Sequence, residues 1–232
     1  MTDYKYLLWD IDGTILDFLA AESAAIKKLF PKFGLGECTD EMVKRYSDIN
    51  IRHWEALERG ELTKPEVLVG RYREFFEKEG LPVSLAESFN SEYEMSLADT
   101  IVFLDNAYEL LKSLKENHIL AAVTNGCKRV QDRKLERSGL DKLFDYVFIS
   151  EEIGYEKPRK EFFDVALEKM GVTDKSEVLV IGDSLTSDIL GANNAGIKCC
   201  WYNPNGCVND KGLRIDYEIR DLQQLKEILA NN

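Results

Sequence analysis

Asp10 and Asp12 stand two residues apart at the end of an apolar run, in the stretch YLLWDIDGTILDF. Asp183 and Asp188 follow a second apolar run, VLVI, within GDSLTSD. Thr124 and Asn125 follow a third, ILAAV, and Lys157 directly precedes Pro158. Four carboxylates brought together repel one another, and some would stay protonated unless a divalent cation shared them. Oxygen donors without histidine or thiolate select Mg²⁺, which favours a few carboxylates plus water and a substrate phosphate. Gly13 permits a sharp turn after Asp12 and leaves main-chain N–H groups open towards an anion. Thr124, Asn125 and the Gly126 N–H add donors beside a helix start, and Lys157 adds a cation. Donors, a lysine and a metal around one point describe a site for a phosphoryl group.

Such residues need a frame that brings them to one rim. Five short apolar runs supply it, at 6–9, 119–123, 146–149, 178–181 and 197–202. They are mostly continuous rather than alternating, as strands buried on both faces of a parallel sheet are. The segment 215–219 is expected as an edge strand, and a final helix is expected from Asp221. Helical patterns separate the runs; the one through Phe162, Phe163, Ala166, Leu167 and Met170 has Pro158 at its start and Gly171 at its end. The fold class is therefore α/β, a Rossmann-like doubly wound parallel sheet. In such sheets ligands bind at the carboxyl ends of the strands, where all the residues above would lie.

Residues 17–100 carry no buried-strand signal and read as a helical bundle inserted into the α/β domain, which takes 1–16 and 101–232. Thr63 with Glu66 and Ser84 with Glu87 read as capping boxes. Val43, Tyr46, Trp54 and Leu57 form one apolar stripe, and Leu68, Tyr72, Phe75 and Phe76 another. Asn50 and His53 share the first stripe's face, where they could read a substrate's base or be satisfied within the bundle. Trp54 suits core packing better than base stacking, and Arg71 either approaches an anion or flanks its stripe. Asn125 could also cap the helix after it, and RKLERSGLDK reads as a solvated face.

Composition narrows the function. The 232 residues include 44% hydrophobic residues and carry a net charge of -12. A chain so acidic is a poor partner for polymeric nucleic acid, and an anionic substrate would meet repulsion that local positive charge must overcome. The five cysteines include no C-x-x-C pair, which disfavours a disulfide scaffold or a zinc site; Cys199 and Cys200 are expected as small buried hydrophobes. Only two histidines exist, His53 and His118, the latter expected to be solvated in a turn. Ser184 lacks the closing glycine of a nucleophile elbow. No apolar run approaches the ~18 residues of a membrane span, and no secretory leader is visible, so a cytoplasmic protein is expected, monomeric or homodimeric, with a small-molecule partner.

DIDGT, TNG, KP and GDSLTSD, in that order, resemble the four motifs of the haloacid dehalogenase superfamily. The likeness spans nearly the whole chain, and the helical insert is similar to that superfamily's type 1 cap. The resemblance implies that Asp10 attacks phosphorus to form an aspartyl-phosphate, and that Asp12 serves as acid and then base. It implies Mg²⁺ on Asp10, the Asp12 carbonyl and Asp183, with Asp188 assisting directly or through water. Thr124 and Lys157 would hold phosphoryl oxygens, with Asn125 in support. The superfamily's dehalogenases lack the second aspartate, so the presence of Asp12 and Asp183 favours phosphoryl transfer. LDFLAAESAAIKKLF, INIRHWEALERGELT and FISEEIGYEKP further resemble the noncanonical pyrimidine 5′-nucleotidases. Trp9, where Phe is usual, departs from the pattern in packing rather than chemistry. Other outcomes share the motifs: a phosphatase of a sugar phosphate or phosphoglycolate, a phosphomutase, or a binding module with little turnover.

Overall fold

The computed structural model describes residues 4–230. The chain divides into two compact units, Met1–Asp17 with Phe103–Asn232, and Phe18–Val102.

The first unit is built on six parallel strands: β1 (Tyr6–Trp9), β2 (Ile119–Thr124), β3 (Tyr146–Ile149), β4 (Val178–Gly182), β5 (Lys198–Tyr202) and β6 (Tyr217–Ile219). Their order is β3-β2-β1-β4-β5-β6. The chain steps outward from β1 through β2 to β3, then returns to β4 on the other side of β1. The topological switch therefore lies between β1 and β4, paired in register from Tyr6↔Val178 to Trp9↔Ile181. All four residues of β1 are buried. Tyr6 and Leu8 join Val123, Phe148, Phe162, Phe163 and Val180 in one apolar cluster, while Leu7 and Trp9 point to the opposite face, also fully buried. Burial on both faces is why these strands read as continuous apolar runs. β6 is shorter than the expected edge strand because the Asp216 side chain, rather than a main-chain carbonyl, accepts the Cys199 N–H at 3.0 Å.

The helices of this unit are α5 (Ala107–Leu114), α6 (Lys128–Ser138), α7 (Ser150–Ile153), α8 (Lys160–Met170), α9 (Leu190–Ala195) and α10 (Leu225–Ala230). Asp221 caps a 3₁₀ turn that leads into α10. Cys199 and Cys200 are fully buried, as small hydrophobes would be. His118 is not simply solvated: its Nδ1–H donates to the Tyr4 carbonyl at 2.6 Å, tying the turn before β2 to the strand beside it.

The second unit contains α1 (Phe18–Lys32), α2 (Asp40–Glu58), α3 (Lys64–Lys78) and α4 (Ala86–Leu97). Its core is aromatic, with Tyr46 stacked on Tyr72 at 5.0 Å and Phe89 packed edge-on against Phe30 and Phe76. The α2 stripe is rotated from expectation: Ile49, Asn50 and Ala56 are buried with Val43 and Tyr46, while Trp54 and Leu57 are half-buried. In α3, Val67 and Arg71 take the buried positions rather than Leu68. Glu66 accepts from the Thr63 N–H at 2.8 Å, as a capping box requires. Ser84 and Glu87 form no such box. The chain enters α4 through the 3₁₀ turn Val83–Leu85, so Ser84 sits inside a turn instead of at an extended cap. Glu87 pairs with Arg73 at 2.9 Å instead.

Candidate active site

β1 and β4 end side by side at the switch, and the chemistry-bearing residues begin where they end. Asp10 continues the ladder, donating its N–H to the Ile181 carbonyl at 2.9 Å, so its side chain leaves from a fixed backbone. Beyond β4, the Ser184 hydroxyl accepts the Ser187 N–H and starts a π-turn, Leu185–Ile189, that carries Asp188 back towards the strand end. Asp10, Asp183 and Asp188 each present an oxygen within 4.8 Å of the others. Two glycines make this approach possible. A Cβ on Gly13, at φ +98°, would lie 2.6 Å from Asp183 Oδ2, and one on Gly182 would lie 2.3 Å from Asp188 Cγ.

Lys157 is buried against the same carboxylates. Its Nζ donates to Asp10 Oδ1 at 2.8 Å, Asp188 Oδ1 at 2.6 Å and the Val123 carbonyl at 2.8 Å. Burial pushes the Asp10 carboxyl well above its usual range, and Asp188 and Asp183 add to this; Lys157 opposes it. Asp183 is pushed up to about 7, chiefly by burial and then by Asp188, with the Thr14 hydroxyl opposing from 2.9 Å. Burial alone would lower the Lys157 ammonium, but Asp10 and Asp188 outweigh it and hold it raised. One lysine thus meets two of three clustered carboxylates, which leaves a surplus of acidic groups at the rim. Oxygen donors with that surplus of negative charge fit a hard divalent cation such as Mg²⁺.

The remaining expected residues fall at the ends of β1 and β2. Thr124 is buried, and its hydroxyl accepts the Gly126 N–H at 3.2 Å. Asn125 does not cap α6, whose cap position is Cys127. Its amide instead clamps the Lys157 main chain, donating to the carbonyl and accepting from the N–H, each at 2.8 Å. Asp12 lies apart from the three clustered carboxylates. Its Oδ2 accepts from Gln131 Nε2 at 2.7 Å and its Oδ1 from Lys134 Nζ at 2.5 Å.

Gln131 and Lys134 escaped the sequence reading, which took the segment around Lys134 as solvated. They are one helical turn apart on the face shared by Val130 and Leu135, and that spacing was the available signal. Thr14, whose hydroxyl donates to Asp183, and Trp201, whose Nε1 donates to the Asp183 carbonyl at 2.9 Å, were missed as supports of Asp183.

Within the helical unit, Asn50 and Arg71 are satisfied by their neighbours. Asn50 donates to Glu22 Oε2 at 2.8 Å and accepts from Arg71 Nη1 at 2.8 Å; Arg71 also donates to Asn90 at 2.9 Å. Glu22, 1% exposed, accepts from the Ser47 hydroxyl as well. Asn50 therefore bridges a buried carboxylate and a buried guanidinium. His53 Nε2 meets Glu74 at 2.9 Å.

Strand-end carboxylates gathered at a switch point, with Asp10 and Asp188 both on a buried lysine, make an acidic rim that fits a divalent cation on a doubly wound α/β fold. Residues 7–202 match the family profile of the haloacid dehalogenase-like hydrolases. The chain is 37% identical to the HAD-hydrolase YfnB of Bacillus subtilis, over 99% of this chain and 97% of that protein. It is 36% identical to the pyrimidine 5′-nucleotidase PynA of Streptococcus pneumoniae, covering 99% and 96%. It is 31% identical to the pyrimidine 5′-nucleotidase YjjG of Escherichia coli, covering 99% of each. The magnesium-bound crystal structure of YfnB superposes with a TM-score of 0.90 at 36% identity, over 98% of this chain and 99% of that one. The chain belongs to the haloacid dehalogenase-like hydrolases, and its relatives place it among the family's phosphatases. Among the described residues, no helix is long and apolar enough to cross a membrane.

Proposed function

We propose that this enzyme is a Mg²⁺-dependent phosphatase of nucleoside 5′-monophosphates that prefers pyrimidine nucleotides. The observation that carries the chemistry is the Asp10–Asp183–Asp188 cluster around Lys157. The substrate preference is supported by the full-length likeness to two pyrimidine 5′-nucleotidases.

Asp10 attacks phosphorus through a carboxylate oxygen, and the bond from phosphorus to the nucleoside oxygen breaks. Asp12 gives its proton to that departing oxygen. It then takes a proton from the water that attacks the phospho-aspartate, which releases phosphate and restores Asp10. Lys157 keeps the Asp10 charge in place and meets the incoming phosphoryl oxygens, with Thr124 beside it. Asn125 acts through Lys157 by fixing its backbone. Asp10, Asp183 and Asp188, with the Asp12 carbonyl, would hold Mg²⁺, which when bound offsets charge on the phosphoryl oxygens. The helical unit is assigned the choice of substrate; Asn50 and Arg71 serve it as framework, since their polar atoms are already paired.

The test is phosphate release from pyrimidine and purine monophosphates and from sugar phosphates, with Mg²⁺ or with chelator, for wild type and Asp10→Asn. Release that favours pyrimidine nucleotides, needs Mg²⁺ and vanishes in Asp10→Asn is expected. Equal rates on all esters would contradict the nucleotide assignment. Isomerisation of an ester without release would mark a mutase.

A further inference from the structure

The buried face of α6 holds two polar side chains that packing does not require. Gln131 and Lys134 are each 2% exposed, beside Val130 and Leu135. Burying an ammonium or an amide is unfavourable unless it is paired, and a methionine at either position would fill similar space without polar atoms. Both side chains converge on Asp12 and engage its two oxygens separately, at 2.7 and 2.5 Å. Gly126 makes room for this, since a Cβ there would lie 2.2 Å from Gln131 Nε2. Asp12 is only two residues from Asp10, yet among the described residues the clustered carboxylates are Asp10, Asp183 and Asp188.

We propose that Gln131 and Lys134 are positioning residues that hold the Asp12 carboxylate out of the cation's ligand set. This rests on the hydrolase reading, in which Asp12 is the acid and base. A carboxylate so near a divalent cation would otherwise be drawn in as a further oxygen ligand. The metal would then bind more tightly, and the Asp12 carboxylate would be tied to it. The two donors from α6 oppose that collapse by engaging both oxygens from one side.

The test is a mutant cycle in the full-length protein: Lys134→Met and Gln131→Met, each in the wild-type and Asp12→Asn backgrounds, with folding checked by thermal melts. Mg²⁺ affinity is read by calorimetry, and kcat and KM are read separately with uridine monophosphate. Each single variant is expected to bind Mg²⁺ roughly three- to tenfold more tightly, a gain that disappears when Asp12 is Asn. kcat should fall roughly 10- to 100-fold with KM little changed, and Lys134→Arg should restore part of it. An equal gain in the Asp12→Asn background would overturn the proposal, because loss of the lysine charge alone would then explain it. Unchanged affinity in Gln131→Met, which alters no charge, would also overturn it. A wild type that binds Mg²⁺ but hydrolyses no ester would fault the assigned function, while the calorimetric cycle would still report on the clamp.

Discussion

Lys157 shows how much of this site rests on single charges. It lies between two buried carboxylates, with side chains of Lys157 and Asp188 each 2% exposed and that of Asp10 10% exposed. Removing one partner of such a set leaves charge uncompensated where water cannot reach it. Lys157→Met should therefore lower stability by about 3–5 kcal/mol, measured by urea unfolding without added metal. A loss under about 1 kcal/mol, as for a solvated ion pair, would show that Lys157 is not the principal counter-charge. The sequence made the acidic residues legible because Asp10 and Asp12, and Asp183 and Asp188, come in pairs soon after apolar runs. It made Lys157 legible only through its place before Pro158. Gln131 and Lys134 were legible only weakly: beside Arg133, Glu136 and Arg137 they look like solvated residues, and only their helical spacing with Val130 and Leu135 sets them apart.

At the scale of elements, β4 and the π-turn after it deliver Asp183 and Asp188 together, and Gly182 is the point of closest approach. Gly182→Ala would drive a methyl group into the Asp188 carboxylate. If Asp188 helps hold the cation, calorimetry should show Mg²⁺ binding weakened by roughly 10- to 100-fold; unchanged affinity would remove Asp188 from that role. In the helical unit, Glu22 is raised above its ordinary 4.5 by burial, with Ser47, Arg71 and Asn50 opposing. A carboxyl whose folded pKa is raised stabilises most below its unfolded pKa, and that contribution is lost as pH rises through the folded pKa. The stability of wild type relative to Glu22→Gln should thus be greatest below about pH 4.5 and shrink towards neutrality, by thermal melts across that range. A difference that grew with pH would mean that the donors around Glu22 outweigh its burial. The parallel strands were legible because two-sided burial leaves continuous apolar runs. The rotation of the α2 stripe was not, because Asn50 is polar by type yet buried by its bridge between Glu22 and Arg71. Ser84 misled for a similar reason: its spacing to Glu87 is that of a capping box, but the turn after Pro82 places it elsewhere.

Across the whole molecule, a net charge of -12 opposes an anionic substrate before any contact is made. Raising ionic strength from about 10 mM to about 150 mM shortens the Debye length to about 8 Å and screens that repulsion. kcat/KM for a nucleoside monophosphate should rise modestly over this range, with kcat nearly constant. A steep fall would instead reveal a positive binding surface that the charge distribution does not suggest. The α/β class and the hydrolase family were legible from the order of four short motifs on strand ends. Substrate choice was less so: of the polar residues of the helical unit considered for it, Asn50 and Arg71 are taken up by internal pairing and His53 meets Glu74. The most direct measurement is chemical trapping of the intermediate. Wild type and Asp12→Asn are mixed with uridine monophosphate and Mg²⁺, quenched in acid, reduced with borohydride and mapped by peptide mass spectrometry. The expected result is homoserine at position 10, the product of a reduced acyl phosphate, more abundant in Asp12→Asn. Hydrolysis of the nucleotide by wild type with Asp10 unmodified in both proteins would contradict a covalent role for Asp10.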